Sequence, residues 1–198
     1  PLGEPMTGHR GSVLAVAVGP DGAIVSGGID GTVRRWLPDG TPFGKRMTGH
    51  RDTVFAVAVG PDGTIVSGGG DGTVRRWGPD GTPLGKPMTG HRGSVLALAA
   101  GPNGTIVSGG DDGTVRRWTP DGTPLGGPMT GHQGTVYAVA VGPNGTLVSG
   151  GRDGTVRRWG PDDKPLGEYM TGHRGTVYAV AVGPDGTIVS GNEDGTVR

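Results

Sequence analysis

Five histidines recur every 41 residues, at His9, His50, His91, His132 and His173. Each is accompanied in its own unit by a serine and an aspartate. Three chemistries use such groups. A ring of imidazoles could ligate a metal or act as bases, and Ser, His and Asp together are the parts of an acyl-transfer triad. The repetition argues against all three. A catalytic site is needed once, and a constellation copied into every unit is better explained by something every unit must do to fold. Tryptophans keep the same interval, at Trp36, Trp77, Trp118 and Trp159. A buried Trp needs a partner for its indole N–H, and buried polar groups in general must be paired.

Two other features invite a chemical explanation. Paired arginines at Arg34–Arg35, Arg75–Arg76, Arg116–Arg117 and Arg157–Arg158, with Arg198 alone, hold half of the 18 basic charges. Adjacent strand residues point to opposite faces, so a pair cannot form one phosphate-binding patch. Their stems are expected to cover apolar surface, with neighbouring turn carboxylates neutralising them. The Asp-rich PDG turns offer one carboxylate each, too few for calcium, which needs several oxygens converging within a dozen residues. No metal and no cofactor is therefore expected.

The elements that position these residues follow from the repeat. One unit runs from Thr7 to Met47, and units start near 7, 48, 89, 130 and 171. SVLAVAV, from Ser12 to Val18, is an apolar strand. GPDG turns the chain with Pro presetting φ and Asp-Gly permitting positive φ. AIVSG is a second strand, and Asp30-Gly31 is a hairpin signal. TVRRW is a third. TPFGKRM is a fourth, at an edge because Pro cannot donate to a ladder. With 45 Gly and 17 Pro, the chain would look disordered if the period were absent. The strict period makes these residues recurrent turns of an all-β protein.

Gly8-His9, the pattern V-x-x-V-x-V-x-P-D-G, the segment I-V-S-G-G-x-D-G-T-V and the Trp closing the third strand resemble the WD-repeat (WD40) family, across nearly the whole chain. The resemblance implies a β-propeller of four-stranded blades. Residues 1–198 would form one domain of five blades, with the N-terminal strand (Pro1–Met6) completing the last blade at a seam between 198 and 1. The chain stops seven residues short of five full units. A single-chain ring is favoured, with a fragment of a larger ring as its rival and an oligomeric ring possible. The start at Pro1 without Met suggests a fragment or a processed chain.

The resemblance also assigns a hydrogen-bonded network to each blade: His9, Ser26, Asp30 and Trp36; His50, Ser67, Asp71 and Trp77; His91, Ser108, Asp112 and Trp118; His132, Ser149, Asp153 and Trp159; and His173, Ser190 and Asp194 without a Trp. Two departures from the family are visible. Leu37, Gly78, Thr119 and Gly160 stand where an Asp often follows the Trp, and Arg replaces the usual apolar residue before it.

Function is expected where the copies disagree. The residue before the turn Asp is Ile29, Gly70, Asp111, Arg152 or Glu193, and an early first-strand position is Leu14, Phe55, Leu96, Tyr137 or Tyr178. In the family these sites and Ser12, Thr53, Ser94, Thr135 and Thr176 surround the top opening of the channel. Leu14, Phe55, Leu96, Tyr137, Tyr178, Ile29, Asp111, Arg152 and Glu193 are therefore the candidate partner-binding residues, since large exposed rings suit interface anchors. The expected function is a non-catalytic scaffold for a protein or peptide. The alternative is a recently amplified or engineered symmetric propeller with no specific ligand. A channel enzyme or sugar binder is a weaker third idea, because Ala15, Ala17 and Gly8 offer few reactive groups.

Charge and hydropathy exclude some partners. The 18 basic and 18 acidic residues balance, so nothing in the net charge favours nucleic acid. No apolar run approaches the roughly 18 residues of a membrane span, and no signal peptide is visible. Cysteine is absent, which leaves the compartment open, with the cytoplasm favoured.

Overall fold

The computed structural model describes residues 4–198. The chain is all-β in this span, a β-propeller of five antiparallel sheets. The first blade is β1 (Val13–Val18), β2 (Ile24–Gly28), β3 (Thr32–Trp36) and β4 (Pro42–Thr48). The second holds β5 (Val54–Val59), β6 (Ile65–Gly69) and β7 (Val74–Trp77). The third holds β8 (Val95–Ala100), β9 (Ile106–Gly110), β10 (Val115–Trp118) and β11 (Pro124–Met129). The fourth holds β12 (Val136–Val141), β13 (Leu147–Gly151) and β14 (Val156–Trp159), and the fifth β15 (Val177–Val182) and β16 (Ile188–Asn192). Strands of a blade pair in sequence order, as short turns between antiparallel neighbours require.

The expected fourth strand forms fully in the first and third blades. In the second and fourth it is reduced to bridges at its two ends, Val74 to Met88 with Trp77 to Pro83, and Val156 to Met170 with Trp159 to Pro165. Where the strand does form, its register slips between Val33 and Arg35 and between Val115 and Arg117. The ladder to the outer strand is thus interrupted at the same place in each of the first four blades.

The apolar core lies between blades. Val25 and Val33 of the first blade pack with Met47 against Val54, Val57, Ile65 and Trp77. The same set recurs at the next two junctions: Val66 and Val74 with Met88, Val95, Ile106 and Trp118, then Val107 and Val115 with Met129, Val136, Leu147 and Trp159. The fourth junction has Val148 and Val156 against Val177, and no Trp. Glycine in the I-V-S-G-G segment permits the approach. A Cβ on Gly27, Gly68, Gly109 or Gly150 would come within 2.5–2.6 Å of a methyl of Val54, Val95, Val136 or Val177. An ordinary side chain would push the blades apart.

The two ends of the array differ from its interior. β1 packs on β5, β5 on β8, β8 on β12 and β12 on β15, and among the described residues β15 and β1 do not make a fifth junction of this kind. Val13 is 47% exposed, whereas its equivalents Val54, Val95, Val136 and Val177 are 0% exposed. Gly191, whose equivalents face those valines, has only Ala179 of its own blade nearby, 3.9 Å from where a Cβ would stand. Part of the N-terminal strand expected to complete the last blade, Pro1–Gly3, lies outside the described residues, and Glu4–Met6 carry no strand. Val197 is bridged to Gly191. Among the described residues no fifth junction of this kind is formed.

Candidate functional site

Each blade carries one polar network at the end of β2, β6, β9, β13 or β16. In the first four blades the Trp indole N–H donates to the Ser hydroxyl oxygen at 2.9–3.0 Å. The Ser Oγ lies 2.8 Å from the His Nε2, and the His Nδ1 lies 3.0–3.1 Å from the Asp carboxylate. The arrangement that satisfies every group has the Ser hydroxyl donating to Nε2 and the Nδ1–H donating to Asp.

The carboxylate also accepts the backbone N–H of the residue after the His (Arg10, Arg51, Arg92 and Gln133) at 2.8–3.0 Å. It takes the hydroxyls of Thr32, Thr73, Thr114 and Thr155 at 2.8 Å as well. These threonines were not among the expected members. Their signal was the invariant Thr two residues after the Asp in D-G-T-V.

The electrostatics follow from that geometry. Burial by itself would raise the Asp71, Asp112 and Asp153 carboxyls. The hydrogen bonds from backbone, Thr and His outweigh it and lower all three to about 2. Burial pushes His50, His91 and His132 below the usual imidazole range, against the pull of their Asp partners. The imidazoles are thereby held neutral beside charged carboxylates.

The Ser–His–Asp order has the form of a hydrolase triad, but Ser67, Ser108 and Ser149 are fully buried. The Trp N–H occupies an oxygen lone pair that a nucleophile would have to present. In the fifth blade, which lacks the Trp, His173 keeps its bond to Ser190 at 2.7 Å. Its Nδ1 meets the Thr196 hydroxyl at 3.5 Å, and Asp194 instead accepts the N–H groups of Arg174 and Thr196.

The arginine pairs divide by face. The first of each pair lies against the glycine before the His. A Cβ on Gly49, at φ 154°, would stand 2.8 Å from the Arg75 guanidinium, so the invariant Gly makes room for the Arg. The second reaches turns. Arg35 pairs with Asp21, Arg76 donates to the Pro120 and Asp121 carbonyls of the next blade, and Arg117 reaches Asp163 at 2.8 Å. Arg35 and Arg157 stack on Phe43 and Tyr169, 4.5 and 4.6 Å from the ring centroids. No continuous basic belt results. The PDG aspartates are spent on their own turns, as where Thr64 N–H donates to Asp62, and Asn103 does the same for Thr105. Among the described residues no cluster of metal-ligating side chains occurs.

The variable first-strand residues occupy β-bulges. Every first strand slips register at one residue, and that residue is Leu14, Phe55, Leu96, Tyr137 or Tyr178. A bulge re-aims a side chain without altering the rest of the ladder. Leu14, Leu96, Tyr137 and Tyr178 line one open central cavity of about 350 Å³, whose other walls are the Ala and the Val or Leu that follow in each first strand. Phe55, half-buried, is not part of that lining. The Tyr137 and Tyr178 rings stand 5.3 Å apart, tilted by 57°. No acid, base or imidazole lines the cavity among the described residues.

The second variable set sits one step past the strand ends. The backbone N–H groups of Ile29, Gly70, Asp111, Arg152 and Glu193 donate to the carbonyls of Ser12, Thr53, Ser94, Thr135 and Thr176. This places them two residues along the paired strand from the bulges. Ile29 and Arg152 are exposed. Asp111 accepts the Thr135 hydroxyl of the next blade at 2.6 Å, and Glu193 accepts the Thr176 N–H at 3.3 Å. Thr135 and Thr176 are themselves buried, so these two sites contribute to packing as well as to surface.

Repeated antiparallel blades around a central cavity, each carrying an inward polar network, define a β-propeller of the repeat class. The family model "WD domain, G-beta repeat" matches five times, over residues 2–36, 42–78, 81–119, 123–160 and 163–198, and the chain belongs to that family. Its members typically serve as non-catalytic protein-interaction scaffolds. A search of curated proteins found no match. Among solved structures, the chain is similar to the WD40 beta propeller domain of Doa1, at 28% identity and a TM-score of 0.85. The alignment covers 98% of this chain and 64% of that one, so this chain spans less than two thirds of the propeller it matches.

Proposed function

We propose that this propeller is a non-catalytic scaffold that binds a protein or peptide at the mouth of its central cavity. The observation that carries it is the convergence of variation on one place. Four of the five bulge positions, where the copies carry Leu or Tyr, line a single cavity whose remaining walls are Ala, Val and Leu residues of the first strands. Tyr137 and Tyr178 supply rigid rings with a polar tip, the chemistry of an interface anchor. Ile29 and Arg152 add an apolar and a cationic contact at the strand ends nearby. The two rings are in contact with each other, and together they offer one aromatic surface against which a peptide side chain can pack.

The test is selection of a displayed peptide library on the intact chain, followed by titration against Tyr137→Ala and Tyr178→Ala. Selected peptides should lose about tenfold or more in affinity on either change. Binders indifferent to both substitutions would place recognition elsewhere. The near-identity of GTVRRW in four units favours a second reading, a symmetric amplified propeller with no selected ligand. Failure of the selection to enrich any peptide is the outcome that reading expects.

A further inference from the structure

The outer strand is a further place where the copies disagree. Lys45-Arg46 of β4 is matched by Glu4-Pro5, Lys86-Pro87, Gly127-Pro128 and Glu168-Tyr169 in the other copies. The prolines reveal which way the backbone faces. Met88 exchanges both backbone hydrogen bonds with Val74, and its equivalent Met47 is registered with Val33 in the same way. The residue before it therefore turns its N–H and C=O away from the blade. Pro87 and Pro128 are tolerated there because no ladder bond is lost. Proline at such a place also blunts an edge against pairing. Arg46 restores the outward N–H, and Thr48, two residues on, presents its groups to the same side. β4 is the outermost strand of its sheet and is exposed along its length apart from Met47.

This edge lies on the outer rim, which adjacent blades leave uncovered. Pro87 and Pro128 belong to blades with a neighbour on each side, and both are exposed. Tyr169 is 51% exposed although the third blade packs before its own.

The charge at the rim of the first blade has one sign. Lys45 and Arg46 are exposed, and among the described residues neither is ion-paired. They line one groove with Arg34 and Arg35. Arg35 is stacked on Phe43 and already paired with Asp21, whereas Arg34 donates to the Gly8 carbonyl and has no carboxylate partner. In the fourth blade Arg157 lies over Tyr169, so their equivalents Arg34 and Arg46 share one face of the first blade. The turn carboxylates of Asp39 and Asp80 are held by Thr41 and Thr82 of their own turns.

We infer that β4 is a docking edge for an extended acidic segment of a partner protein, which adds as a further strand along the end of β4 past Gly44. Its backbone bonds the outward groups of Arg46 and Thr48. Carboxylates at alternate positions lie on one face of an extended strand, where Arg34 and Arg46 meet them, with Lys45 adding to the attraction. Like charges opposed on paired strands repel, so the same edge of a second copy is rejected. β4 is the strand of its blade farthest from β1, which lines the cavity, and the inference is independent of peptide binding there.

Fluorescence anisotropy of the full chain with a labelled six-residue peptide alternating Glu and Val tests it. The peptide should bind, and its counterpart alternating Lys and Val should not. Arg46→Ala keeps the outward N–H and should weaken binding about threefold, the worth of one exposed charge pair. Arg46→Pro removes the N–H as well and should weaken it about tenfold or more. The fold should survive, because proline is the residue of the second and third blades at this place. Tyr137→Ala should leave the affinity unchanged. A Glu and Val peptide that fails to bind overturns the inference. Equal losses for the two Arg46 variants also overturn it, because charge alone would then hold the peptide. Tighter binding of a single-stranded DNA hexamer than of the peptide would mark a plain polyanion patch and overturns it likewise.

Discussion

Ser108 shows how one hydroxyl serves two buried partners. It accepts the Trp118 indole N–H at 3.0 Å and meets His91 Nε2 at 2.8 Å, fully buried in both roles. Ser108→Ala leaves both partners without a bond in a place water cannot reach. The expected loss is about 3 kcal/mol, since each orphaned buried group costs about 1–3 kcal/mol. Ser190 is the natural control. It holds His173 but no Trp, because the fifth unit lacks one. Ser190→Ala should cost about 1 kcal/mol. Urea denaturation of both variants checks the ordering, and equal losses would mean that the indole bond contributes nothing. His, Ser, Asp and Trp were all legible as network members from the repeat and the family resemblance. The Thr that completes the carboxylate's shell was not, because a hydroxyl in a strand is equally at home facing solvent.

At the scale of the strand, the glycine that ends the IVSGG segment's approach to the next blade decides how blades meet. Gly109 sits where a Cβ would be 2.6 Å from a Val136 methyl, whereas a Cβ on Gly191 would find its nearest neighbour, Ala179, at 3.9 Å. Gly109→Ala should therefore destabilise the fold by about 1–3 kcal/mol through overpacking. Gly191→Ala should leave the stability unchanged, because a Cβ there meets only ordinary contact distances. Thermal melting of the two variants separates the two cases. A melting loss in Gly191→Ala as large as in Gly109→Ala would show the fifth junction to be closed within one chain. The three inner strands of the first four blades were legible from Asp-Gly and PDG turns. The bulges were not, because VLAVAV reads as an unbroken apolar strand and the slip at Leu14 appears only in the pairing with β2.

Over the whole molecule the networks add, and they add with one sign in pH. His50, His91 and His132 have lowered values in the fold, mainly through burial. An unfolded imidazole near its ordinary value of about 6.5 takes up a proton first, so the stability from neutral His is complete above that pH and is lost as pH falls below it. Asp71, Asp112 and Asp153 titrate at about 2 in the fold against 3.8 for the free group. Their contribution is complete above the unfolded value and is lost as pH falls through the folded one. Stability should therefore drop in two stages on acidification. Urea midpoints should decrease in the order of about pH 8, 5 and 3. Equal midpoints at the first two would mean that the imidazoles are charged in the fold.

The sequence by itself determined the repeat, the turns, the strand order within a blade and the His, Ser, Asp and Trp of the first four networks, though not their Thr. All of these are local, or are copied at a fixed interval, and a period of 41 residues declares them. The assignment of Leu14, Leu96, Tyr137 and Tyr178 to one central cavity, the slip that turns them into it, and the state of the last junction belong to the tertiary structure. They depend on how far each blade rotates from its neighbour, and that rotation is set by packing between Val, Met, Trp and Gly of adjacent units. Four such junctions are satisfied within the chain. Whether a fifth can form is a property of the accumulated curvature, which no single repeat encodes.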